Sequence, residues 1–459
     1  MKHYDTIVIG TGGGTKLVRP VADLGRKVAV AEMESPGGTC LNRGCIPSKM
    51  LIYPADIIHL TQDLSRLQLS KDSEWKVDFS KLVERISKTV DADSASIAPA
   101  YNKNPNIDFY PYKAKFVGKR EISLGSEIIT GDRIFIAVGC RPKIPHIEGL
   151  EGTPFWTSRE ALRNTKLPKR LVILGAGFIA LELGLAYRAF GTEVIFIARS
   201  KILKEEDIDI REAFHESVSK KVTLHENCNI HKVSYVNGQF KIVLDDKAHS
   251  VLEADALMVA TGTVPNTDDL GLEHTDIRLN ADGYIETNDY LETSAKNIYA
   301  LGDVIGRYFY RHSVNFEGEY LFDNLYLKKN PSPIHYPPMP HAVFTYPEIA
   351  RVGLTEDSVR LAGFDYIKAI HPYSGSAQGM ARLPEVGFVK ILLDKNSRKV
   401  LGAHIIGDEA SNLIHMIILG MTMGLKLEDY LNMIYIHPSL PEITRNAFRK
   451  VRDQLGNTV

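Results

Sequence analysis

The chain has 459 residues, 44% hydrophobic and 24% charged, too long for one ordinary core and expected to divide into two to four domains. Its 55 basic and 56 acidic side chains give a formal charge of −1, which offers no basis for binding nucleic acid or an anionic membrane. Four cysteines in this length exclude a secreted disulfide scaffold, no signal peptide precedes the first strand, and no apolar run is long enough to span a membrane, so a cytoplasmic location is expected.

Residues 6–9 form the first expected strand, which leads into Gly10-Thr11-Gly12-Gly13-Gly14-Thr15 and, after a helix, a second strand ending at Glu32. Glycines let the backbone turn and approach a pyrophosphate at a helix N-terminus, and an acid some twenty residues on can accept a ribose hydroxyl. The third glycine position holds Thr15 unless the loop is one residue short and Gly14 fills it. Pro20 falls where the helix should run and predicts a late or shortened helix.

Next comes Gly37-Gly38-Thr39-Cys40-Leu41-Asn42-Arg43-Gly44-Cys45-Ile46-Pro47-Ser48-Lys49. Two cysteines five positions apart form a ring that can open and close, passing two electrons one thiolate at a time. A zinc site would need two more ligands at suitable spacing, and Cys140 and Cys228 are isolated, so no metal is expected. A helix beginning beyond Gly44 would lower a nearby thiol.

A second nucleotide unit opens with a strand at residues 171–174, followed by Gly175, Gly177 and Ala180 in the G-x-G-x-x-A spacing. The next strand, residues 193–197, ends in Ala198-Arg199-Ser200-Lys201. An acid at that point would suit NADH, whereas a cation suits the 2′-phosphate of NADPH. Arg199 therefore favours NADPH, with NADH left open. Apolar runs at 134–139 and 257–262 close on Gly139 and Gly262, and residues 298–304 carry Gly302-Asp303. Proline-rich joints fall at 141–145 and 330–338. Near the C-terminus an apolar strand at 387–393 precedes an expected amphipathic helix at 410–423 and then Tyr435-Ile436-His437-Pro438-Ser439-Leu440-Pro441-Glu442. Histidine titrates near neutrality, and Glu442 can reach back across the prolines to fix its tautomer.

These motifs together resemble the flavin-dependent pyridine-nucleotide disulfide oxidoreductases over nearly the whole chain. The resemblance implies an α/β fold with two Rossmann-like nucleotide-binding domains plus a C-terminal α+β dimerisation domain. It places FAD binding at 1–150 and 271–337, NAD(P)H binding at 151–270 and dimerisation at 338–459. By the same resemblance Cys45 faces the flavin and Cys40 attacks the substrate disulfide. His437 with Glu442 is the acid–base group, supplied across a homodimer interface. Gly10, Gly12, Gly14, Glu32, Gly38, Thr39, Gly139, Gly262, Gly302 and Asp303 belong to cofactor binding, Asp303 at the ribityl chain. Gly175, Gly177, Ala180 and Arg199 hold the nicotinamide nucleotide. Lys49 pairs with Glu182 beside the flavin, and Phe178 is the aromatic gate.

Within the family the chain most resembles the mycothione reductases, in the break at Thr15, the continuation after Lys49 and the His437 segment. Dihydrolipoamide dehydrogenase is the alternative, disfavoured by the missing acid at Ala198. A flavoprotein electron carrier or quinone reductase without a physiological disulfide substrate is a further alternative. Mercuric reductase and the large thioredoxin reductases are disfavoured because residues 449–459 contain no cysteine. Arg43 replaces a common valine and is expected to add positive charge at the substrate mouth.

Overall fold

The computed structural model describes residues 1–62, 64–70 and 75–456; the last three positions of the tail considered above lie outside them. A seven-stranded sheet holds the N-terminal part. Its first strand, β1 (Lys2–Ile9), lies between β2 (Val28–Ala31) and the long strand Glu127–Ile136, parallel to both. Ile7, Val8, Ile9 and all of β2 are buried, the near-continuous apolar run of a parallel strand covered on both faces. The strand Ile298–Ala300 returns from far along the chain to pair with Glu127–Ile136.

The helix after the first glycine turn, α1 (Thr15–Asp23), starts directly behind Gly14 and runs through Pro20. It is short, as expected, but not late. Leu17, Val18, Val21 and Ala22 are buried, and their packing outweighs the one backbone bond that Pro20 cannot make.

A second, all-parallel sheet orders the strands Thr223–Glu226, Glu193–Ala198, Arg170–Leu174 and Ala256–Val259. A fully antiparallel five-stranded sheet is built from Pro340–Val343, Ile349–Gly353, Val400–Ile406, Phe388–Asp394 and Tyr366–Pro372, in that order. The helix Pro441–Gln454 covers one face of it with Ile443, Ala447, Phe448 and Val451, each large apolar side chain contributing about 1.5 to 3 kcal/mol. The expected amphipathic helix at 410–423 is instead two short ones, Ala410–Leu413 and His415–Met423. The His415 ring donates from Nδ1 to the Ser411 carbonyl at 2.7 Å, competing with the backbone bond that would carry the helix through. The second piece is apolar on its outer side too, leaving Leu419 and Met423 exposed.

Candidate active site

The first glycine turn is set by close approach. Gly10 has φ of +99°, and a Cβ there would lie 2.4 Å from the Ala137 carbonyl oxygen. A Cβ on Gly14 would lie 2.4 Å from the Gly10 oxygen and 2.5 Å from Val8. Gly14, one position early, thus carries the close helix–strand packing of the fingerprint's third glycine. Gly12 meets Gly38 backbone to backbone, since a Cβ on Gly38 would lie 2.6 Å from the Gly12 Cα. Thr11, which the sequence reading passed over, binds the turn together. Its hydroxyl donates to Glu32 at 2.6 Å and accepts the Gly37 N–H at 2.8 Å. Glu32 also accepts the Thr11 and Glu34 N–H groups at 3.0 Å each, so it organises the loop as well as facing it.

The cysteines lie on two successive helices, Cys40 within α2 (Gly38–Arg43) and Cys45 as the first residue of α3 (Cys45–Gln62). Both are free thiols, Cys45 the more exposed. A hydrogen bond from Cys40, and then the Lys49 and Arg311 cations, draw the Cys45 thiol down to about 7 against the opposing effect of burial. The same hydrogen bond, with burial, pushes Cys40 well above the ordinary thiol range. Arg311, on the helix Arg311–Phe322, carried no sequence signal; only folding brings it to the sulfurs.

One helical turn beyond Cys45, Lys49 pairs with Glu182 at 2.7 Å and lies over the Phe344 ring, 4.3 Å from its centroid. Glu182 is buried and accepts the Phe344 N–H at 2.9 Å. Arg43 does not add a free charge to the substrate mouth. It ion-pairs with Glu34, which Arg159 also reaches at 3.3 Å, so two cations share one carboxylate and the expected positive charge is only partly offset.

His437 donates from Nδ1 to Glu442, 3.1 and 3.2 Å from the two carboxylate oxygens. Burial opposes ionisation of Glu442, but the Ser439 N–H, His437 and Arg445 outweigh it and hold the carboxyl below its usual range. This leaves Nε2 as the working nitrogen. The histidine side chain is 72% exposed, flanked by Ile434 and Ile436 at 94% and 80%. It faces away from its own chain's core, and the fold does not bring it to the thiols as Lys49 and Arg311 are brought.

In the second nucleotide unit Gly175 has φ of +126°, with the Ala260 oxygen 2.2 Å from where a Cβ would stand. Gly177 caps the helix Phe178–Ala189, on which Ala180 is buried and Phe178 exposed. Arg199 lies exposed just past the strand Glu193–Ala198. Gly139 and Gly262 flank a two-stranded link, Cys140–Pro142 with Thr263–Pro265. Their carbonyls accept Asn266 N–H at 3.1 Å and Lys143 N–H at 2.9 Å. Gly302 donates its N–H to Glu317 at 2.6 Å, and burial pushes the neighbouring Asp303 carboxyl up to about 6.

Glycine backbones that admit no side chain, the half-buried Asp303 carboxyl beside Gly302 and a dithiol beside a lysine fit a flavin dinucleotide. A second glycine turn suits a nicotinamide nucleotide. The site class is a flavin- and pyridine-nucleotide-linked dithiol oxidoreductase.

The comparisons agree. Residues 4–318 match the pyridine nucleotide-disulphide oxidoreductases and residues 339–448 match that family's dimerisation domain. Mycothione reductase of Mycobacterium tuberculosis is 34% identical, over 98% of this chain and all of the relative. Mercuric reductase of Lysinibacillus sphaericus is 32% identical over 93% of this chain and 79% of the relative. Dihydrolipoyl dehydrogenase of Bacillus subtilis is 31% identical over 96% and 95%. The solved structure of the HOCl-induced flavoprotein disulfide reductase RclA from Escherichia coli, as its Cu(II) complex, superposes with a TM-score of 0.89 at 27% identity. It covers 98% of this chain and all of its own. The chain belongs to the pyridine nucleotide-disulphide oxidoreductase family, whose members use FAD and NAD(P)H, and it is an oxidoreductase acting on sulfur groups.

Proposed function

We propose that the chain is a homodimeric, cytoplasmic, NADPH-dependent reductase of a small-molecule disulfide, of the mycothione reductase kind. The observation that carries the disulfide chemistry is the placement of the two free thiols, Cys40 in one short helix and Cys45 opening the next, with Lys49, paired to Glu182, one turn beyond Cys45. The preference for mycothione over lipoamide rests on the full-length similarity to mycothione reductase and on Ala198 standing where an NAD-binding acid would, with the cation Arg199 next to it.

FAD, when bound, supplies the two-electron relay between a nicotinamide hydride and a disulfide. The chain's own residues do the rest. A raised Cys40 thiol needs a base, and the partner subunit's His437, oriented by Glu442, takes its proton at Nε2. Cys40 sulfur attacks one sulfur of the substrate, the substrate S–S bond breaks, and the leaving thiolate takes the proton back from His437. Cys45 thiolate then attacks Cys40, closing the Cys40–Cys45 disulfide and releasing the second substrate half as a thiolate, which takes its proton from water. Lys49, held by Glu182, keeps positive charge beside Cys45 throughout.

Residues 1–150 and 271–337 are assigned to FAD binding, 151–270 to NAD(P)H binding and 338–459 to dimerisation. In support, the seven-stranded sheet draws its strands from 2–136 and 298–300, and the parallel four-stranded sheet from 170–259.

The test is steady-state turnover with NADPH and NADH against mycothione, lipoamide, glutathione disulfide, bacillithiol disulfide and coenzyme A disulfide. NADPH with mycothione is expected to give the highest kcat/KM. NADH preferred, with lipoamide as best substrate, would make the chain a dihydrolipoamide dehydrogenase instead.

A further inference from the structure

The five-stranded sheet buries one face in its own apolar core. Its other face carries a polar row that the strand register lines up: His341 opposite Arg351, Arg351 opposite His404, His404 opposite Lys390. Lys390 has no solvent exposure at all. Its ammonium donates to Asp207 at 2.7 Å, to Glu356 at 2.6 Å and to Asp209. Lys368 adds a second cation, 3.0 Å from Glu356 and 3.5 Å from Asp209.

Asp207 and Asp209 do not belong to this sheet. They lie on a segment, residues 205–209, that follows Arg199-Ser200-Lys201 out of the parallel four-stranded sheet. Three further contacts tie that segment to the five-stranded sheet and to the helix Glu356–Leu361 that follows its strand Ile349–Gly353. Glu206 accepts from His341 Nε2 at 2.6 Å. The Glu205 carbonyl accepts from Arg351, and Asp207 accepts the Glu356 N–H at 2.9 Å. Two residues before that segment the chain touches the second glycine turn, where Leu203 N–H donates to the Ala176 carbonyl at 3.2 Å. Ala176 lies between Gly175 and Gly177.

We infer that Lys390 is a positioning residue for the pyridine nucleotide: the buried ion cluster around it fixes residues 199–209, and with them the nucleotide turn, onto the five-stranded sheet. This rests on the reading of Gly175, Gly177 and Arg199 as the nucleotide site. The physical reason is twofold. A segment with four carboxylates, Glu205, Glu206, Asp207 and Asp209, would repel an anionic nucleotide unless cations cancel it. A loop held at both ends binds without the entropy cost of being ordered. Lys390 touches no reacting atom, so it acts on nucleotide affinity and leaves the thiol chemistry alone.

The experiment measures Kd for NADP+ and for NAD+, which cannot reduce the flavin, by spectroscopic titration of the oxidised holoenzyme, together with KM and kcat with NADPH and NADH, in Lys390→Met, Lys390→Arg and Asp209→Asn. Lys390→Met is expected to raise Kd and KM for the preferred nucleotide about tenfold, with kcat and the KM for the disulfide within about twofold of the wild type. Lys390→Arg, which keeps the charge, is expected to recover most of the affinity. Removing one partner of a buried cluster is costly and Lys390→Met can fail to fold. Asp209→Asn, at the cluster's more exposed edge, then decides, with an expected loss of about threefold. Unchanged nucleotide affinity alongside a lower Tm in the folded variants would overturn the inference and leave the cluster as a structural clamp. If NADH proves to be the preferred nucleotide, the NADPH reading falls while the role of Lys390 is still judged on the NADH constants.

Discussion

The two sulfurs are chemically unequal although the sequence writes both as cysteine. Cys45 stands at the N-terminus of an eighteen-residue helix, receives a hydrogen bond from Cys40 and sees Lys49 and Arg311, all of which favour its thiolate. In the reduced enzyme its thiolate is expected to form as pH rises through about 7. Cys40→Ala, which removes the largest of these effects, is expected to move that midpoint up by about one unit; ultraviolet thiolate absorbance follows both. A midpoint that ignores Cys40 would mean that the hydrogen bond does not hold in solution. For the acid–base group, His437→Gln is expected to lower kcat by ~10² to 10⁴-fold with the flavin content intact. Glu442→Gln should lose less, since the imidazole stays in place and loses only the carboxylate that fixes its tautomer. Cys40, Cys45 and the His437–Glu442 pairing were legible from residue type and spacing. The Lys49–Glu182 contact, 133 positions apart, was legible only through the family resemblance. Arg311 and Thr11 were not legible at all, because one cation or one hydroxyl among many carries no local pattern.

At the level of elements, the glycine turns work by excluding side chains. Gly14→Ala places a methyl group against Gly10 and Val8, an overpacking of about 1 to 3 kcal/mol. The purified variant is expected to carry less flavin per chain and to melt earlier; full flavin occupancy would show that the helix can shift to make room. Asp303 supplies a second test. Its folded carboxyl is raised to about 6, so the folded chain keeps a proton that the unfolded chain gives up. Stability from this group is therefore complete below its ordinary range and lost as pH rises to about 6, a change of about 3 kcal/mol. Denaturation of flavin-stripped protein across that window is expected to show the loss, and Asp303→Asn to flatten it. The helix predicted at 410–423 failed at His415, whose ring takes a backbone acceptor. Apolar periodicity reports which face is buried but is silent on a side chain that competes with the backbone. Pro20 erred the other way, since a breaker residue was outweighed by four buried neighbours.

At the scale of the whole molecule, α3, which begins at Cys45, packs into the same apolar cluster as the helix Phe178–Ala189, through Leu51, Ile52, Leu181 and Leu185. The dithiol and the second nucleotide unit therefore share one core. His437 is different: it is exposed beside Ile434 and Ile436, an apolar surface that a partner of the family's dimerisation type would cover. Mixed dimers of Cys40→Ser with His437→Ala chains hold one intact site if the histidine works across the interface. They are expected to recover about half of the wild-type rate per dimer, measured after co-expression with two affinity tags. No recovery would place the histidine in its own chain's site. Sequence by itself determined the chemistry: two thiols at a fixed spacing, two glycine turns, and a histidine with its carboxylate, because each is local and needs only neighbours along the chain. The tertiary structure alone decided the electrostatics that tune them. The ordering of the thiols depends on the hydrogen bond between them and on cations that include Arg311 from a distant helix, Arg43 shares Glu34 with Arg159, and Lys390, a charge in an apolar strand, is stable because Asp207, Asp209 and Glu356 are brought to it from other elements. Coulomb interaction depends on distance in space, and that distance exists only after folding.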